Sequence, residues 1–182
     1  MKIKLNNKEI EVQKNKTILE ICQELDIHIP TLCYHPHLKP ESRCRVCLVE
    51  MDGKLVTSCS TYPKENSVIE TESERAVKAR KRNMELLMPN LQECKLGDDL
   101  EVCEIYNEVG LDSNRFNNLK DYKPDLGAAV IRDNNKCINC GRCVQVCSAI
   151  QAVNAIDFAS RAHNEHVTPY SEKHLAEVAC IR

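Results

Sequence analysis

Tryptophan is missing from this 182-residue chain, and only two Phe and five Tyr are present. So few aromatics leave no platform on which bases could stack. Charge is nearly balanced, with 25 Lys and Arg against 27 Asp and Glu. That excludes the basic surface a nucleic-acid partner requires. No apolar run approaches the length of a membrane span. The first residues, MKIKLNNKEIEV, alternate charged and apolar side chains and lack the apolar stretch of a secretory signal. A cytoplasmic protein is therefore expected. The five glycines stand at 53, 97, 110, 127 and 141, never as G-x-G. Neither a dinucleotide fingerprint nor a phosphate-binding loop is present. No catalytic residue is singled out.

Cysteine, by contrast, is abundant, with twelve in the chain. In a secreted protein that number would point to disulfides, but in a reducing compartment grouped thiols point to metal or redox sites. One group is Cys33, Cys44, Cys47 and Cys59, spaced C-x10-C-x2-C-x11-C. A close pair places two sulfurs on one tight loop, and two outer cysteines close the cage. The pattern is related to the plant-type [2Fe–2S] spacing, with a longer first gap. Structural zinc is the rival, although zinc sites usually take two close pairs. His35 and His37 follow Cys33 and are read as loop residues, since four thiols complete the set. A second group, Cys137, Cys140, Cys143 and Cys147, has the C-x2-C-x2-C-x3-C spacing of bacterial [4Fe–4S] ferredoxins. Ser148 stands where that motif usually has Pro. Arg43, Arg45 and Arg142 flank these cysteines, either to stabilise a negative cluster or as solvated charges.

The periodicity predicts three regions. In residues 1–72, strands at 2–5 and 9–12 surround the turn Asn6-Asn7-Lys8. Thr17 caps a helix and Glu20 completes a capping box. Strands at 45–50 and 54–58 flank Asp52-Gly53, and 67–72 is a last strand. This is a small α+β domain. Residues 73–88 form a helix stopped by Pro89, with a basic, solvated middle. Residues 90–126 are polar, with a short helix in EVCEIYNEVGL. From 127 to 182, a strand at 128–133 leads into the second cysteine group, and 160–174 are read as polar loops.

PTLCYHPHL, CRVCLVE and TSCS resemble the β-grasp [2Fe–2S] domain of the complex I large iron–sulfur subunit and of [FeFe]-hydrogenases. ELLMPN resembles the segment before that family's histidine-ligated [4Fe–4S] site, and DNNKCINCGRCVQVC its two-cluster ferredoxin domain. The electron-input half of an [FeFe]-hydrogenase looks the closer of the two. The resemblance implies a β-grasp domain at 1–72, a linker at 73–126 and a partial ferredoxin domain at 127–182. In the histidine-ligated site the family pattern H-x3-C-x2-C-x5-C falls on Asn90, Cys94, Gly97 and Cys103. Asn and Gly cannot replace imidazole and thiolate, so this cluster is expected to be absent. Cys94 and Cys103 would be relics, free thiols or a redox pair. Cys180 looks like the first member of a further cysteine run, and the chain then stops, as in a truncated piece. Cys147 and Cys180 would hold half of a second [4Fe–4S] site, or Cys147 would close the first.

The resemblance implies single-electron relay to or from a hydrogenase-like or NADH dehydrogenase-like catalytic part, with no catalytic centre in these residues. A ferredoxin or a flavoprotein subunit would be the redox partner. The alternatives are the iron–sulfur portion of an NAD-linked formate dehydrogenase and a zinc-stabilised interaction subunit without redox role.

Overall fold

A computed structural model describes residues 1–88, 100–111, 115–116, 122–126 and 130–178. The first structured unit grows from two hairpins whose turns are written in the sequence. β1 (Lys2–Leu5) and β2 (Lys8–Glu11) pair antiparallel around Asn6 and Asn7, both at positive φ (47° and 68°). β3 (Leu48–Met51) and β4 (Lys54–Thr57) pair likewise around Asp52 and Gly53, at 50° and 74°. Asn, Asp and Gly tolerate this left-handed region, which tight hairpin turns require. The turn side chains also bind β5 (Val68–Glu70) and its flank. Asp52 accepts from the Val68 amide at 2.8 Å, and Asn6 from the Thr71 amide at 2.8 Å. The five-stranded order is β2-β1-β5-β3-β4, with β1 and β5 parallel at the centre.

α1 (Ile18–Glu24) covers one face of this sheet. Its capping box forms as the sequence predicts: the Glu20 amide donates to Thr17 Oγ1 (3.3 Å) and the Thr17 amide to Glu20 (2.7 Å). Ile18, Leu19, Ile21 and Cys22 of α1 pack on Ile3, Leu5, Val49 and Ile69 of the strands. Burial pushes the Cys22 thiol up to about 11, so it behaves as a small apolar core residue.

α2 (Glu74–Leu87) is capped by Ser73, whose Oγ accepts from the Ala76 amide at 3.2 Å. One part of its basic middle is not solvated. Arg80 is buried, and its guanidinium donates to the Leu48 and Thr71 carbonyls and to Glu72. It ties β3 and the residue after β5 to α2, so the solvated-face reading fails at this residue. α3 (Glu101–Glu108) lies where the short helix is predicted.

The last region is built differently. Short strands β6 (Asp125–Leu126) and β7 (Ile131–Arg132) pair with each other. α4 (Arg142–Gln145) runs into a π-helical turn at Val146–Ile150. β8 (Ile156–Ala159) and β9 (His166–Pro169) make a hairpin. The second of these strands falls in the stretch read as polar loops. Its alternation is carried by too few apolar residues to be seen in the sequence. Among the described residues, no helix is long and apolar enough to cross a membrane.

Candidate metal centres

The first site sits at the open end of the β3–β4 hairpin. Leu48 pairs with Thr57, and the Ser58 amide donates to the Cys47 carbonyl at 3.1 Å. That register brings Cys47, just before β3, beside Cys59, just after β4. The expected strand at 45–50 begins only at Leu48, because Arg45 turns through a positive φ of 52°. The turn lets Cys44 and Cys47 face one space instead of alternating across a strand. Cys33 arrives on the loop after α1, and its amide donates to Cys44 Sγ at 3.4 Å.

All four residues are buried, and none is in a disulfide. They interact as two pairs. The side-chain hydrogen bond between Cys33 and Cys44 pushes the Cys33 thiol up and draws Cys44 down to about 7. The same bond between Cys47 and Cys59 pushes Cys47 up and Cys59 down. In each pair the sulfur that keeps its proton donates a hydrogen bond to the other and favours it as thiolate, the ligand form that iron or zinc needs. The pairs also sense each other, since the charges at Cys33 and Cys44 act back on Cys59. Ser42 Oγ lies 3.9 Å from Cys59 Sγ and adds a donor. Among the described residues, no three His, Cys, Asp or Glu side chains converge on a point that one ion could fill. Zinc requires four ligands about one centre, at roughly 2.3 Å for sulfur. Two buried thiol pairs that feel each other's charge would instead suit the four thiolates that a [2Fe–2S] cluster needs. His35 is half-buried and His37 exposed, and the His37 amide donates to His35 Nδ1 at 3.2 Å. They remain loop residues.

The second site is a single winding segment. Cys137 follows a short 3-10 turn, and its Sγ accepts from the Asn139 amide at 3.4 Å. Asn139 (φ 55°) and Gly141 (φ 82°) then reverse the chain twice. Burial of its thiol, with the neighbouring Cys137 and Cys140 thiols, pushes Cys143 up, although the residue as a whole is exposed. Cys147 has another neighbourhood. Its Sγ accepts from the Ala155 amide at 3.0 Å. It lines, with Val130, Val146, Val153, Ile156 and Leu175, an apolar cavity of about 490 Å³ that also touches Cys143. Amide donors to sulfur at three of these cysteines (44, 137 and 147) fit thiolate ligands of a cluster, whose charge such bonds offset.

Of the degraded set, Asn90, Cys94 and Gly97 lie outside the described residues, as does Cys180. Cys103 is buried in α3 and is disulfide-bonded, so it is not a free thiol. α3 has a different visible duty. Ile105 and, just beyond the helix, Val109 pack in one cluster with Cys33, Cys44, Val46 and Met84, and Cys140 packs against that cluster. Glu101 pairs with Arg142 of the second site. The linker thus backs the first site and ties down the second.

Residues 1–74 match the family described as the 2Fe-2S iron-sulfur cluster binding domain. Residues 127–179 match the ferredoxin-like domain of NADH-quinone oxidoreductase subunit 3. The chain thus carries matches to two domain families, one toward each end. It carries a [2Fe–2S] domain and a [4Fe–4S] ferredoxin-like domain, as the cysteine spacings predict. It is similar to the NADP-reducing hydrogenase subunit HndD of Solidesulfovibrio fructosivorans, at 32% identity over 98% of this chain and 33% of that protein. It is also similar to an NADH-quinone oxidoreductase subunit of Rickettsia conorii, at 32% over 96% of this chain and 27% of that protein. The mitochondrial NADH dehydrogenase iron-sulfur protein 1 of Solanum tuberosum is 33% identical over 90% of this chain and 23% of its own length. This iron–sulfur protein therefore spans a third or less of the curated relatives it matches. Its fold matches a chain in the crystal structure of an NAD+-reducing [NiFe]-hydrogenase in the H2-reduced state. The TM-score is 0.86 at 24% identity, covering 99% of this chain and 80% of that one. It is an iron–sulfur module of the type carried by hydrogenase and NADH dehydrogenase subunits.

Proposed function

We propose that this chain relays single electrons through its clusters, to or from the catalytic part of a hydrogenase-like or NADH dehydrogenase-like assembly. Cys33, Cys44, Cys47 and Cys59 are the proposed [2Fe–2S] ligands. Cys137, Cys140 and Cys143 are the proposed core of a [4Fe–4S] site, with Cys147 and Cys180 the further candidates. The clusters supply reversible one-electron chemistry. The protein's part is to hold thiolates, aim amides at sulfur and control water access, which together set the potential. The observation that carries the reading is a set of two buried, hydrogen-bonded thiol pairs whose charges act on each other.

Division into 1–72, 73–126 and 127–182 fits this reading: each outer part contributes one cysteine site and the middle part braces both. The similar proteins are subunits by name, which supports a partner subunit here. A ferredoxin or a flavoprotein subunit in the cytoplasm fits single-electron exchange. Anaerobic purification followed by iron and zinc analysis, visible absorption and EPR tests the proposal. A brown protein with reducible [2Fe–2S] and [4Fe–4S] signals is expected. A colourless protein with stoichiometric zinc would overturn it.

A further inference from the structure

Two arginines cross between the cysteine sites in opposite directions. Arg43 precedes Cys44 of the first site, and its Nε donates to the Asn139 carbonyl at 2.9 Å. Asn139 directly precedes Cys140 of the second site. Arg142 follows Gly141 between Cys140 and Cys143, and its Nη2 donates to the Tyr34 carbonyl at 2.7 Å. Tyr34 directly follows Cys33. Each guanidinium thus bonds the backbone beside a cysteine of the other set.

Both are held in place from behind. Arg43 pairs with Glu165 and lies over the Phe158 ring, 3.9 Å from its centroid. Arg142 is gripped by both carboxylate oxygens of Glu101, at 2.5 and 2.9 Å. Its Nε is buried without a hydrogen-bond partner among the described residues. A Cβ on Gly141 would lie 2.9 Å from Glu41 Oε2 and 3.3 Å from Arg43 Cδ. The two cysteine loops are therefore in close contact at that point. Exposed ion pairs chosen only for solubility would not aim at backbone carbonyls in this reciprocal way. A guanidinium can span two acceptors with fixed geometry, which an ammonium cannot.

We propose that Arg43 and Arg142 form a reciprocal clamp that fixes the separation and orientation of the two cysteine sites. They are positioning residues for electron exchange. The consequence for electron exchange rests on the relay function proposed above, whereas the clamp itself does not.

The test uses the full chain with Arg43→Ala and Arg142→Ala combined, beside Arg43→Lys and Arg142→Lys singly. Hydrogen exchange of the 33–37 and 137–143 amides is measured on the anaerobically purified protein as isolated. In the double variant it rises about tenfold or more, the loss expected when charge-assisted bonds to backbone are removed. In the iron-loaded protein, EPR reads the magnetic interaction between the two reduced clusters. That interaction weakens in the double variant while each cluster keeps its own signal, and the Lys variants recover only part of it. Should the double variant not fold, the Lys variants decide, with faster local exchange supporting the clamp. Unchanged exchange and unchanged magnetic interaction would overturn it. Missing cluster signals in the unaltered chain would instead sink the relay function and leave the exchange measurement to judge the clamp.

Discussion

The two cysteine sites solve one problem with opposite means. The first lies inside a domain that has its own core, with α1 packed on five strands and all four cysteines buried. The second lies on one winding segment beside two-stranded pairings, with Cys143 exposed and few fully buried apolar residues around it. Sheet and helix burial holds the first site's loops before any metal arrives. The second segment has little apolar area to offset its ordering entropy, so cluster binding supplies much of its folding free energy.

The largest effect follows from this contrast. Stripping iron with a chelator under anaerobic conditions is expected to leave amides of β1, β3, β5 and α1 protected against hydrogen exchange. Amides from 130 to 159 lose most of their protection. Equal loss in both regions would erase the distinction between them. Ligand substitutions sharpen it site by site. Cys47→Ser or Cys59→Ser abolishes the [2Fe–2S] signal with the sheet intact, whereas Cys140→Ser abolishes the [4Fe–4S] signal and loosens its surrounding segment. Iron content and EPR of each variant, read beside exchange, check this.

Next comes Arg80, which joins the first region to α2. Arg80→Ala leaves the Leu48 and Thr71 carbonyls without their donor and Glu72 without its partner. A loss of about 3 kcal/mol is expected, as for leaving two buried carbonyls without a donor, since Glu72 is largely exposed. Denaturant unfolding of residues 1–88 measures it. A smaller loss is expected from Gly141→Ala in the second region. Its φ of 82° disfavours any side chain, and Arg43 Cδ stands 3.3 Å from the new Cβ. A cost of about 1–3 kcal/mol follows, visible as lower protection in 137–143 with β1–β5 unchanged.

Much of the first region could be read from the sequence because its signals are local. Thr17 and Glu20 announce α1, Asn6-Asn7 and Asp52-Gly53 announce the hairpins, and the cysteine spacing announces the site. What could not be read depends on partners distant along the chain. Arg80 looks solvated in a basic run, yet it meets Leu48 from 32 residues away. Glu101 has no mark in sequence as the grip on Arg142, 41 residues on. The start of β3 was displaced because Arg45 enters the left-handed region to aim two sulfurs, a local cost set by the site rather than by strand propensity. β9 was invisible because HVTP is short and ends in proline, and its strand character comes from pairing with β8.

The smallest expected effect is a pH dependence confined to the second region. His174 Nδ1 lies 2.9 Å from Asp125, and the Leu175 amide donates to the same carboxylate at 3.1 Å. Leu175 lines the apolar cavity beside Cys147, so this contact latches the 173–178 segment over it. The other charge facing Asp125 is Arg132, 3.6 Å away. The hydrogen bond from His174 and the Leu175 amide hold the Asp125 carboxyl below the usual range, and Asp125 raises His174. For His174, a raised folded pKa gives stability that is fully present below its unfolded value, about 6.5, and lost as pH rises through the folded value. For Asp125, a lowered folded pKa gives stability present above its unfolded value, about 3.9, and lost as pH falls through the folded value. The latch is therefore tightest between about pH 4 and 6.5. Exchange of the Leu175 amide, corrected for its intrinsic pH dependence, should be slowest in that window and faster at pH 8. His174→Gln should remove the dependence on the alkaline side alone, because Asp125 keeps Arg132. The strands β1–β5 themselves contain no such pair among the shifted groups, so in the iron-loaded protein their protection should stay level across the same range. A parallel change there would mean that pH loosens the whole chain, not the latch.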